Sequence, residues 1–352
     1  MKICILGATG LVGRETLELV ARAWPGAELE LYASRDQTME LSIGPTKADG
    51  RRLPVKAAER LEAADTTGGQ LAFVALDDDF SARYVPRLLA LGYHVVDKSN
   101  TYRMDPNVPL VVAGVNCDLL TSDVRLAANP NCTTIPFALA MRPLDQRWGL
   151  TSATLSTYQA ISGAGVGTLD EFLAQSRKAY AEPERLGTRL DPNAYVGNVF
   201  PHNGKTDDSG FSGEERKLMF ESRKILRLPE LQVSAQCCRV PVAVGHYINA
   251  WIELREKVSP GEIAAVLSDL TKAPFVRFLP GAAGDGLTAL AGVHDRDRAL
   301  VGRMRLDPRG REGTALCLTV TADNLRLGAA TNAVRMASRW FRAEDPELRL
   351  PT

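Results

Sequence analysis

The sequence predicts a two-domain α/β protein, with a parallel sheet of strand–helix repeats followed by an α+β domain on a mostly antiparallel sheet. Three observations predict it. A length of 352 residues is enough for about two domains, each with its own core. Up to residue 128, short β-branched or apolar runs alternate with stretches of helical periodicity. From Ser152 onward the runs are longer and alternate with a period of two.

Taken in order, strands are predicted over 2–6, 28–33, 71–75, 94–97 and 110–112. An amphipathic helix over 12–23 joins the first two, and strand–helix–strand at that scale is the unit of a parallel sheet. Segments 44–52 and 65–69 are turn-rich. A helix follows over 135–144, and a Thr or Asn just before it is placed to cap its first amides. The second half carries strands over 153–158, 231–240, 247–254, 300–307 and 314–321, with helices over 215–226 and 260–270. Residues 180–213, rich in Pro, Gly, Asn and Asp, form a long excursion or lid. An amphipathic helix over 325–341 closes the pattern, which contains no internal repeat and no low-complexity tract.

Composition narrows the function classes. Apolar content of 45% with 24% charged residues is that of an ordinary soluble globular protein. Zero formal net charge and the lack of a basic block argue against nucleic acid as the main partner. No apolar run approaches the ~20 residues of a membrane span, and the chain enters a strand at once. Neither a signal nor a transit peptide is therefore expected, and a cytoplasmic protein is. Six scattered cysteines without C-x-x-C spacing predict neither a disulfide framework nor a metal site. The adjacent pair Cys237-Cys238 lies in a strand-like run and reads as packing.

Gly7-Ala8-Thr9-Gly10-Leu11-Val12-Gly13 stands between the first strand and the first helix. Glycines there let the backbone turn tightly and approach a pyrophosphate whose charge faces the helix N-terminus. The first domain is thus expected to be Rossmann-like and to bind a dinucleotide. The second strand ends in Ser34 and Arg35, where an acidic residue would select NAD. A hydroxyl and a guanidinium suit a 2′-phosphate instead, so NADP is the expected cofactor.

Asn129-Pro130-Asn131-Cys132-Thr133-Thr134 places one cysteine in a polar turn ahead of a helix. The positive end of the helix dipole favours the thiolate, the form that attacks a carbonyl. Four histidines limit the choice of a partner titrating near neutrality. His94 lies in a strand, and His202 and His294 lie in loops. His246 ends a run in which Pro241 and Gly245 interrupt a strand, which allows Arg239 and His246 to share one pocket. Tyr158 to Gly165 is a strand running into a small-residue loop, where a flat ring can approach the backbone. Arg216 and Arg223 read as a solvated helix face.

Seven segments occur in one order: GATGLVG near the start, SNTYRMD at 99–105, NPNCTT at 129–134, YQAISGAG at 158–165, GEERKLMFESRKIL at 213–226, RVPVAVGH at 239–246 and DNLRLGAATNAV at 323–334. Together they resemble the aspartate-semialdehyde dehydrogenase family over nearly the whole chain. Asn131 before the cysteine separates this pattern from N-acetyl-γ-glutamyl-phosphate reductase, which typically has glycine there. The resemblance implies an NADP-binding domain of residues 1–130 with 324–352, and a catalytic and dimerisation domain of 131–323. It implies Cys132 as nucleophile, His246 as acid/base group and Gln159 as the residue orienting the acyl intermediate. Arg239 resembles the clamp on the substrate carboxylate and Glu214 the contact to its amino group. Arg103, Lys217 and Asn131 match phosphate-binding positions. Gly7, Thr9, Gly10, Leu11 and Val12 match the pyrophosphate loop, and Ser162, Gly163 and Asn324 match residues near the nicotinamide. Inorganic phosphate as co-substrate and a homodimer or homotetramer are implied too.

The chain departs from the family at several places. Asp77-Asp78-Asp79 replaces a small Ser/Gly-rich turn, Ala113-Gly114 replaces Pro-Glu, and Tyr247 replaces the serine after the histidine. A paralogue acting on another acyl phosphate, such as N-acetyl-γ-glutamyl phosphate, and a non-catalytic dinucleotide-binding module are the alternatives.

Overall fold

Continuous apolar runs such as Ile3-Cys4-Ile5-Leu6 and Leu71-Ala72-Phe73-Val74 leave no residue for solvent, as expected of strands covered on both faces. A computed structural model describes residues 1–40, 52–62, 70–181, 190–201, 206–270, 275–280, 286–310 and 313–350. Most of the segments predicted as turn-rich at 44–52 and 65–69 lie outside them, as does His202. The chain forms two units, Met1–Asn131 with Ala329–Thr352, and Cys132–Gly328.

The first unit contains β1 (Lys2–Leu6), α1 (Leu11–Ala23), β2 (Glu28–Ala33), β3 (Gln37–Glu40), β4 (Arg52–Ala57), β5 (Leu71–Val74), α2 (Asp78–Ala90), β6 (His94–Asp97) and β7 (Leu126–Ala128). Its sheet runs in the order β3-β4-β2-β1-β5-β6-β7 and is parallel except for the β3–β4 pair. β1 connects to β2 on one side and lies beside β5 on the other, so strand order reverses at the turn after β1. In open α/β sheets that reversal is where ligands bind, outside the carboxyl ends of the strands.

Two predictions for this unit are corrected. Residues 110–112 form no strand, only a bridge from Leu110 to Ala128, and the edge strand is β7. The reason lies in side chains: Asn116 accepts from Val112 N at 2.9 Å and Asn332 from Ala113 N at 2.8 Å, so these amides do not join a ladder. The predicted amphipathic helix at 325–341 is instead a π-helical turn, Arg326–Thr331, running into the short helix Asn332–Ala337. Leu325 to Ser338 are all buried. The polar residues that suggested a wet face are bonded inward, Asn332 to Val111 O and Asn129, and Arg335 to Glu347 O.

The second unit contains α3 (Thr134–Trp148), β8 (Leu150–Gln159), α4 (Val166–Ala181), β9 (Phe200–Pro201), α5 (Gly213–Leu226), β10 (Gln232–Arg239), β11 (His246–Leu254), α6 (Pro260–Leu270), β12 (Val276–Phe278), α7 (Ala289–His294), β13 (Ala299–Leu306) and β14 (Ala315–Ala322). The sheet order is β12-β13-β14-β11-β8-β10-β9. Four of its six pairings are antiparallel; β8–β10 and β12–β13 are parallel. Of the excursion at 180–213, Phe200–Pro201 adds an edge strand to β10, and 182–189 and 202–205 lie outside the described residues.

Candidate active site

Strand alternation assembles the centre of this site. On β8 the buried row is Ala153, Leu155, Thr157 and Gln159; on β10 it is Val233, Ala235, Cys237 and Arg239; on β11 it starts at His246 and continues through Ile248, Ala250 and Ile252. Gln159 pairs in register with Arg239. His246 lies one residue beyond the Tyr247–Tyr158 pair, on the other side of β8. The last inward residues of three neighbouring strands therefore stand side by side. The break at Pro241 and Gly245 separates two strands: Arg239 ends β10, His246 opens β11, and Gly245, with φ of +102°, lies in the turn between them.

Cys132 meets this row from the start of α3. Its Sγ stands 3.1 Å from His246 Nε2, while Ala160 N donates to His246 Nδ1 at 3.0 Å. Arg239 Nη1 donates to the Ala160 carbonyl at 2.6 Å. Gln159 Nε2 donates to Glu214 at 2.9 Å, and Lys217 Nζ pairs with the other oxygen of that carboxylate at 3.2 Å. Gln159, Glu214, Arg239 and His246 are all at most 6% exposed, so their polar atoms are oriented by one another rather than by water. A Cβ on Gly163 would lie 2.9 Å from Arg239 Nη1, so any side chain there would have to displace the guanidinium. Asn324 accepts from Gly245 N at 2.9 Å and donates to Ser162 at 3.0 Å, which ties the small-residue loop to the turn before His246.

The predicted Thr cap of α3 is absent. Thr133 already has helical angles (φ −90°, ψ −31°) and makes no side-chain cap bond, because a capping side chain needs an extended backbone. Gly328 packs on Cys132 instead: a Cβ there would sit 3.0 Å from Cys132 Cβ. Burial pushes the thiol of Cys237 up to about 12 and that of Cys117 to about 11, which keeps both protonated and inert.

In the first unit, Gly7 has φ of +82°, and a Cβ on it would stand 2.3 Å from Ala75 O. A Cβ on Gly13 would stand 2.0 Å from Gly7 O. Gly10 N donates to Gly7 O at 3.0 Å, and Gly10 to Val12 carry the chain into α1. Thr9 O accepts from Arg14 at 3.0 Å. This backbone cradle, closed to side chains and placed at the reversal of strand order, fits a dinucleotide pyrophosphate. Ser34 and Arg35 are exposed beyond β2, and Asp36 is turned onto Ala57 N and Arg60. Asp77 caps α2 through Phe80 N, and Asp78 accepts from Asn100. Buried Arg103 donates to Lys98 O at 2.8 Å, and buried Asn131 is the last residue of this unit before Cys132.

The remaining predicted residues lie elsewhere. His94 packs tilted against Trp340 and edge-on to Phe341, and His294 ends α7 rather than lying in a loop. Arg216 is paired with Asp207, and Arg223 donates to Leu231 O. Tyr247 meets Tyr158 edge-on, on the sheet face opposite His246. The contribution of Ala160 had no signal in the sequence, because it acts through its peptide group. Among the described residues no group of acidic, His and Cys side chains is arranged to hold a metal ion, and no helix is long and apolar enough to cross a membrane.

Two family models match the chain: the NAD-binding domain of semialdehyde dehydrogenases over residues 2–122, and their dimerisation domain over 141–327. The chain is 34% identical to the aspartate-semialdehyde dehydrogenase of Aquifex aeolicus, covering 96% of each chain. It is 35% identical to that of Mycolicibacterium smegmatis, covering 96% of this chain and 98% of the relative. Among solved structures, aspartate semialdehyde dehydrogenase II of Vibrio cholerae complexed with ASA has a TM-score of 0.84 at 30% identity, covering 96% of this chain and 97% of that one.

Proposed function

The chain belongs to the aspartate-semialdehyde dehydrogenase family, and from that membership we propose that it catalyses the reversible reductive dephosphorylation of 4-phospho-L-aspartate to L-aspartate 4-semialdehyde. The reaction serves lysine, methionine and threonine biosynthesis. One observation carries the reading: the Cys132–His246 contact of 3.1 Å lies beside the row formed by Gln159 and Arg239.

The Cys132 thiolate attacks the acyl carbon, a C–S bond forms and phosphate leaves, which splits one hard step into two. Arg239 clamps the substrate carboxylate with parallel N–H donors. Glu214 takes the amino group through its carboxylate, oriented by Gln159 and Lys217. Gln159 orients the acyl group, and Arg103, Lys217 and Asn131 bind the phosphate. Backbone amides at the start of α3, a helix with no side-chain cap, are the donors for the developing oxyanion. Gly7, Thr9, Gly10, Leu11 and Val12 hold the cofactor pyrophosphate, Ser34 and Arg35 select NADP, and Ser162, Gly163 and Asn324 serve the nicotinamide end. When bound, the nicotinamide supplies the hydride that takes the thioester to the aldehyde level. The dimerisation-domain match supports a homodimer.

The test follows NADP reduction on adding L-aspartate 4-semialdehyde, with and without inorganic phosphate, beside the same assay with NAD. Phosphate-dependent turnover, preferring NADP and lost in Cys132→Ala with cofactor binding intact, is expected. No turnover with either cofactor would sink the assignment.

A further inference from the structure

Gln159 is held at both ends of its amide. Its Nε2 donates to Glu214 at 2.9 Å, and its Oε1 stands 3.2 Å from the hydroxyl of Thr157. The Glu214 carboxylate is paired with Lys217 Nζ at 3.2 Å, so it accepts, and the end of the amide that faces it is the nitrogen. Two oxygens 3.2 Å apart need a proton between them, and only Thr157 has one to give. The Thr157 O–H is therefore committed to Gln159. The other hydrogen-bond partner of this hydroxyl is the thiol of Cys237, its in-register neighbour on β10. With the hydroxyl proton spent, Thr157 accepts there and the Cys237 S–H donates. Thr157, Gln159 and Cys237 are each at most 1% exposed, so water does not compete for these groups.

From this connectivity we propose that Thr157, backed by Cys237, is a positioning residue: it holds the Gln159 amide in the orientation that keeps one N–H free for the acyl group. The proposal rests on the acyl-phosphate reading above and says what makes its glutamine effective. The donors run one way, from Cys237 to Thr157 to Gln159 to Glu214, and Lys217 closes the far end. Hydrogen bonds that share a direction polarise one another. Nε2 carries two N–H groups; Glu214 takes one, which leaves the other for substrate. The frame around this chain is fixed. Thr157 and Gln159 are alternate residues of β8, paired in register with Cys237 and Arg239. Cys237 N donates to Glu215 at 3.0 Å, and the same carboxylate closes the capping box of α5 with Ser212. The helix that carries Glu214 and Lys217 is thus pinned to the strand that carries Cys237.

Removing the hydroxyl would leave Gln159 Oε1 buried without a donor. The amide could not recover by turning over, since that would set Oε1 against the Glu214 carboxylate. It could recover only by tilting out of line, which moves the free N–H and loosens the carboxylate that Gln159 and Lys217 orient. Thr157 stands one step deeper than Gln159 in the inward row of β8, so its effect reaches the chemistry through that amide. No proton moves along the chain: burial keeps the Cys237 thiol protonated, and each donor keeps its own hydrogen.

The test is a double-mutant cycle in the full-length protein, with Thr157→Val made in the wild type and in Gln159→Leu. Valine keeps the shape of threonine without the hydroxyl. Thr157→Val is expected to lower kcat about tenfold in the wild type, the size of one lost hydrogen bond. In Gln159→Leu, which has no amide to hold, it should cost less than about twofold. Thr157→Ser restores the hydroxyl and should recover most of the rate. An equal loss in both backgrounds, or serine no better than valine, would overturn the proposal, because packing would then carry the effect. A second readout needs no substrate. The S–H stretching band that disappears in Cys237→Ala reports the hydrogen bond of that thiol. In Thr157→Val it should move to higher frequency, as for a thiol that has lost its acceptor; a band that stays in place would refute the chain. A shifted band beside failed phosphate-dependent turnover would uphold the chain while the reading of function fell, so the two failures are told apart.

Discussion

Gly163 is the position at which one added carbon would press on the Arg239 guanidinium while resting in ordinary contact with His246. Arg239 Nη1 would lie 2.9 Å from that carbon and would have to shift against its bond to Ala160 O. Gly163→Ala should therefore raise the substrate KM about tenfold, about 1.4 kcal/mol, with a smaller change in kcat. Steady-state kinetics with the aldehyde varied would read the split. An unchanged KM would mean that Arg239 does not hold the substrate. Residue identity was the most legible level in the sequence, since Cys132, Gln159, Arg239 and His246 are chemically distinctive side chains in motifs. Ala160 was invisible because its contribution is a peptide N–H and a carbonyl, which any residue supplies. The cap on α3 was misread for a related reason: Thr133 has the right hydroxyl, but its ψ decides whether the hydroxyl is usable.

At the scale of elements, alternation located five of the seven strands of the second sheet to within a few residues, missing the short β9 and β12, and with them the inward row that ends at the site. Strands with mixed polarity escaped, β3 and β4 among them, because each has a single buried residue to mark it. The π-helical turn escaped too, since its polar residues bond inward and mimic an exposed stripe. The junction of β6 with α1 carries a prediction of its own. Lys98 follows β6, its ammonium enclosed against Thr16 of α1 and near the Phe73 ring. Burial pulls its pKa from 10.5 down to about 7, with Asp97 opposing the shift. The folded state therefore releases a proton that the unfolded chain retains, so stability should rise as pH climbs from about 7 towards 10.5. Below that window the burial penalty is fully present. Lys98→Met should raise the melting temperature on the acid side of neutrality and flatten its rise above, as thermal unfolding over that range would show. An unchanged pH profile would mean that the ammonium is solvated.

For the whole molecule, sedimentation of the purified chain is expected to return twice the monomer mass, following the match to a dimerisation domain; a monomer at micromolar concentration would contradict it. Saturating NADPH should raise the melting temperature: a ligand at about 100 times its Kd stabilises the binding state by roughly 2.7 kcal/mol. The smaller effect expected of NAD would report the role of Ser34 and Arg35 without any turnover. The division of the chain was only partly legible, because the return to the first unit at Ala329 falls inside the segment whose helical pattern was misread. That return has a consequence for biosynthesis of the protein itself. Cys132–Gly328 is one uninterrupted stretch, whereas the first unit needs Ala330, Ala333, Val334, Met336 and Ala337 to complete its core. At ribosomal rates of ~5–20 residues per second, the interval between Asn131 and Ala329 lasts on the order of ten seconds or more. The half that carries the glycine loop is thus the first to be translated and the last to be finished.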